Sequence, residues 1–107
     1  MAYVLAQSNP AATTDADLYT VPAGKEAVVS TIAVCESAGT PTRYRVLIRD
    51  NGDTAAAVHR LIYDAPVGAL DTVFITIGAT LAATDVLTVY AGTGDVTFQA
   101  FIDEKDA

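Results

Sequence analysis

His59 is the one side chain that titrates near neutrality, so a general acid or base is the first chemistry to weigh. No Ser or Cys stands beside it in a recognisable nucleophile motif. In a strand over residues 58–63, His59 would share a face with Leu61 and Tyr63, the setting of a packed or rim histidine. Asp50-Asn51-Gly52-Asp53 gathers oxygen donors that suit a hard cation, but it lacks the EF-hand spacing and the closing Glu. Tolerance of turn conformations explains Asp and Asn there. Gly92-Thr93-Gly94 is too short to cradle a phosphate, and no helix follows it. Cys35 is a single thiol and reads as a small buried hydrophobe; with one Cys and one His, neither an intrachain disulfide nor an ordinary Cys/His metal site can be assembled. No catalytic residue, cofactor or metal is expected.

Arg43, Arg45 and Arg49 are three of only six basic residues, and they share one face of a strand over residues 42–50 whose other face carries Tyr44, Val46 and Ile48. Thirteen acidic residues bring the net charge to −7. The arginines fit an outer face balanced by neighbouring carboxylates. They equally fit a protein contact, because guanidinium groups form planar bidentate pairs with carboxylates and are enriched at interfaces. The acidic balance argues against a grip on nucleic acid or anionic lipid.

These residues must be positioned by strands. A chain of 107 residues builds about one domain, and 51% hydrophobic against 18% charged residues excludes disorder. No apolar run approaches the ~20 residues of a membrane-spanning helix. The opening Met1-Ala2-Tyr3-Val4 shows neither the basic nor the apolar region of a secretory signal. Short runs rich in Val, Ile, Thr, Tyr and Phe recur between clusters of Gly, Pro, Asp and Asn. Strands are expected over residues 18–21, 25–36, 42–50, 58–63, 72–77, 85–91 and 95–102, with turns at 22–24, 50–53, 64–69 and 92–94. Tyr44, Val46, Ile48, Val73, Ile75, Ile77, Val96 and Phe98 are expected inward. A helical turn finds room only at 54–59 or 80–84. This is an all-β antiparallel sandwich, jelly-roll-like, of about seven or eight strands. Residues 1–14, with Tyr3, Val4 and Leu5 ahead of Pro10, read as an N-terminal arm or edge strand. Residues 15–107 read as the single sandwich domain.

Leu18-Tyr19-Thr20-Val21-Pro22-Ala23-Gly24-Lys25 and Ala27-Val28-Val29-Ser30-Thr31-Ile32-Ala33-Val34-Cys35 resemble stretches of small structural proteins of tailed bacteriophages. So do Tyr63-Asp64-Ala65-Pro66, Thr80-Leu81-Ala82-Ala83-Thr84-Asp85-Val86 and Val89-Tyr90-Ala91. The chain departs at Glu36 and Asp103, where such proteins often carry Asn and Gly, positions that read as surface. The resemblance implies a non-enzymatic virion component. It would be a capsid cement or decoration protein bound to the major capsid protein and to further copies of itself, or else a tail-associated structural or receptor- or carbohydrate-binding module. The candidate contacts are the segment carrying Tyr3, Val4 and Leu5 and the face of Arg43, Arg45 and Arg49. A lectin-like reading is weakened by the lack of Trp and by 7% aromatics.

Overall fold

The computed structural model describes residues 2–107; Met1 lies outside the described residues. Eight strands follow one another: β1 (Ala2–Ser8), β2 (Ala16–Thr20), β3 (Lys25–Glu36), β4 (Thr42–Arg49), β5 (Arg60–Val67), β6 (Thr72–Leu81), β7 (Val86–Ala91) and β8 (Val96–Asp106). They form two four-stranded antiparallel sheets, ordered β1-β8-β3-β6 and β2-β7-β4-β5. The pairs β1 with β8, β2 with β7, β3 with β6 and β4 with β5 are those of one long hairpin. Rolling that hairpin adds β3 to β8 and β4 to β7, which makes a jelly roll. Residues 2–8 are paired along their whole length with β8, so this segment is an edge strand laid on the sheet.

Alternation fills the space between the sheets. Val29, Ile32 and Val34 from β3, Val46 from β4, Leu87 and Val89 from β7, and Val96, Phe98 and Ala100 from β8 are fully buried. Tyr44 meets Phe98 edge to face, with ring centroids 6.3 Å apart at 63°, which joins the two sheets at their centre. Val73, Ile75 and Ile77 point inward but are only partly covered, because β6 is an edge; Ile48, near the end of the inner strand β4, is also only partly covered.

Several elements differ from the sequence reading. Against β8, a bulge between Val29 and Thr31 places one extra residue, Ser30, on the outside and shifts the phase of β3, while in the pairing of β3 with β6 the extra residue lies on β6, beside Gly78. Val29 and Ile32 therefore both face the core, which strict alternation forbids. β5 begins at Arg60 and runs through Asp64, Ala65 and Pro66, which read as a turn. Asp64 adopts φ 55°, and its bulge and the proline are tolerated because β5 is an edge strand. His59 closes a 3-10 turn, Ala57–His59, instead of lying in the strand. Cys35 is only partly buried, on the outer face of β3, while Glu36, read as surface, is 1% exposed.

Candidate functional site

The arginine face is built by the bulge in β5. It places Tyr63 and Asp64 beside Arg45, whose cross-strand neighbour on β7 is Tyr90. The Arg45 guanidinium lies 4.3 Å from the Tyr63 ring centre and 4.0 Å from that of Tyr90. Its Nε donates to Asp64 Oδ1 at 2.7 Å and its Nη2 to Oδ2 at 3.4 Å. The paired guanidinium holds the Asp64 carboxyl below its ordinary value and itself titrates higher. Arg60 stacks on the Tyr63 ring at 4.0 Å, and Arg43 donates to the Asp64 carbonyl at 2.8 Å.

Arg49 is engaged on every side. Its Nε donates to Thr88 Oγ1 at 3.0 Å and its Nη2 to Asp17 Oδ1 at 2.9 Å, while Thr88 Oγ1 donates to the same carboxylate at 3.1 Å. Its Nη1 donates to the carbonyls of Gly52 and Asp53. A guanidinium therefore takes up two backbone carbonyls of the Asp50–Asp53 turn. The loop is further tied down by the Asn51 N–H donating to Asp85 Oδ1 at 2.8 Å. Among the described residues no group of three or more His, Cys, Asp and Glu is gathered for a metal. His59 has a structural task as well: its Nδ1 accepts the Ala56 N–H at 3.0 Å.

Of the arginines, Arg45 and Arg49 are partly buried and paired within the fold with Asp64 and Asp17, and Arg43 remains exposed. Replacing Arg45 by Lys is expected to lower stability by roughly 1 kcal/mol, since a compact ammonium keeps neither the double stack nor the forked pair. Arg43→Ala should leave the melting temperature unchanged; thermal melts followed by circular dichroism check both.

Glu36 was missed as a working residue. Its carboxylate accepts the N–H groups of Ala38 and Gly39, each at 2.8 Å, and of Leu70 at 2.9 Å. One buried side chain thus pins the β3–β4 and β5–β6 loops together. The local signal was present: an acid two and three residues ahead of the small pair Ala38-Gly39 can bond back to their amides. The donor from Leu70, 34 residues on, carries no local signal.

The segment of Tyr3, Val4 and Leu5 divides by face. Val4 turns toward the core, while Tyr3 and Leu5 stand outside at 88% and 54% exposure. Register sets Leu5 beside Phe101, and Phe101 beside Thr31 of β3. Tyr3, Leu5, Val28, Ser30, Phe101 and Asp103 line a groove of about 330 Å³. Phe74 on β6, 68% exposed, extends the apolar character to the opposite edge. A largely uncharged outer face on one sheet thus contrasts with the self-paired charges on the other.

Fold and surfaces together define a jelly-roll domain with exposed apolar side chains on one sheet and paired arginines on the other. No protein-family model and no curated protein matches the chain. A crystal structure of a pentameric capsid protein isolated from metagenomic phage sequences is similar at 16% identity and a TM-score of 0.43; a second, solved by iodide SAD phasing, is similar at 15% and 0.37. Each similarity covers 94% of this chain but 58% and 60% of those chains, so this chain spans about three-fifths of their length.

Proposed function

We propose that this chain is a non-enzymatic structural protein of a phage virion, a cement or decoration protein on the capsid surface that bridges major capsid protein subunits. The observation that carries the reading is the outer face of the β1-β8-β3-β6 sheet, where Tyr3, Leu5, Phe74 and Phe101 are exposed. Large exposed apolar side chains grouped on one face mark a binding surface. The resemblance of residues 18–35 and 63–91 to small structural proteins of tailed bacteriophages supplies the setting. The non-enzymatic part is supported by what the reactive groups do. His59, Glu36 and Arg49 are each committed to backbone groups of loops.

Particles of the parent virus stripped of the protein test the reading. The purified chain is expected to rebind them, and Tyr3→Ser with Phe101→Ser should weaken rebinding by about tenfold or more, as loss of buried aromatic anchors does. Failure of the parent to bind capsids overturns the proposal, and recovery of the protein with isolated tails alone transfers the role to the tail.

A further inference from the structure

Sheet edges are exposed rows of unpaired N–H and C=O groups, and folded proteins protect them with charges, proline, bulges or shortness. The β2-β7-β4-β5 sheet does so at both ends. β2 has five residues, includes Asp17 and is bulged, while β5 carries Arg60, the left-handed Asp64 and Pro66. The β1-β8-β3-β6 sheet protects its edges less, with a single interruption in β6, where the register with β3 shifts and Gly78 adopts φ 57°. Neither β1 (AYVLAQS) nor β6 (TVFITIGATL) contains a charged residue or a proline, and β1 pairs with β8 without a register shift. The core-facing side of β6 is also incomplete, since Val73, Ile75, Ile77 and Ala79 are only partly buried.

We infer that the free edge of β1 pairs with the free edge of β6 in a second copy of this chain, continuing the sheet from one molecule into the next. Charge selects the occupant. The chain carries −7, so copies repel wherever their acids meet, yet residues 2–8 and 72–81 hold none of its thirteen acids. These two edges can approach each other without opposing carboxylates. Direction agrees as well. Strands alternate across the sheet, β1 and β3 running one way and β8 and β6 the other, so a copy displaced along the sheet in the same orientation sets its β1 antiparallel to the β6 it meets. Residues 72–77 of β6, ahead of the bulge at Gly78, offer a regular edge for six of the seven residues of β1. Pairing of this head-to-tail kind uses both open edges of every copy through one contact, and it closes into a ring where the rotation between copies allows. The inference does not rest on the virion role, because the isolated chain suffices to test it.

Sedimentation or native mass measurement of the full chain is expected to show a multiple of the 11.1 kDa chain mass. Leu5→Lys and Phe74→Lys alter exposed positions and should leave the circular dichroism spectrum unchanged. Each blocks one edge and is expected to reduce the mass to that of a single chain. Mixing the two monomeric variants should restore a dimer and nothing larger, since the mixture retains one intact β1 and one intact β6. A parent that is monomeric into the millimolar range overturns the inference, as does a mixture that stays monomeric. Dimers of Phe74→Lys that vanish in Leu5→Lys would show β1 paired with β1 and overturn it too.

Discussion

Replacing Phe98 by alanine is expected to cost about 3–5 kcal/mol, a large part of what holds a domain of this size together. Phe98 is fully buried on β8, makes the edge-to-face contact with Tyr44 across the sandwich, and is flanked on its own face by Val96 and Ala100. The strands around it are fixed by their ladders, so they cannot close in, and a cavity remains in addition to the lost transfer energy. Denaturant unfolding should show the midpoint falling with little change in slope. A loss below about 1 kcal/mol would show that the space between the sheets collapses freely and that the packing described here is wrong.

The second large effect concerns Glu36 and acid. Hydrogen bonds to its charged form, first from Leu70 and then from Ala38 and Gly39, outweigh burial and hold its folded-state pKa below the ordinary glutamate value. The sign follows: the stability Glu36 contributes is complete above that ordinary value and drains away as pH falls through the lowered one. Glu36→Gln is expected to melt well below the parent at neutral pH, because an amide offers one acceptor and sets its own N–H groups against backbone donors. The gap should narrow as the solution is acidified. Parallel profiles for parent and variant would remove Glu36 from its place as the tie between the two loops.

What could be read in the sequence follows the range of the interactions. In β8, and in β4 as far as Val46, the two-residue alternation is intact, so Tyr44, Val46, Val96 and Phe98 are assigned to the core from local pattern alone, and the jelly-roll class follows from strand count and turn spacing; Leu47, on the arginine face by alternation, is nonetheless buried at 6% exposure. In β3 the pattern failed at Ser30, because a bulge is invisible until the partner strands exist. Asp64 and Pro66 carry turn chemistry and still lie in β5, since an edge strand tolerates what a central one rejects. The arginines were legible as a group on one face. Their pairing was not, because topology brings up Asp17, Asp64, Tyr90 and Thr88 from other strands. Glu36 was misplaced for the same reason: a carboxylate next to a small-residue turn looks solvated until the Leu70 loop closes over it.

Partner contact through the β1-β8-β3-β6 sheet is the claim on which the functional reading depends, and backbone hydrogen exchange of the free chain against its particle-bound form tests it most directly. In the chain diluted below the concentration at which its copies pair, amides of β1 and β6 that face away from their neighbours exchange readily. On binding, protection is expected to rise in residues 2–8 and 72–81 and to stay unchanged in residues 16–20 and 60–67. New protection confined to β2 and β5 would contradict the account.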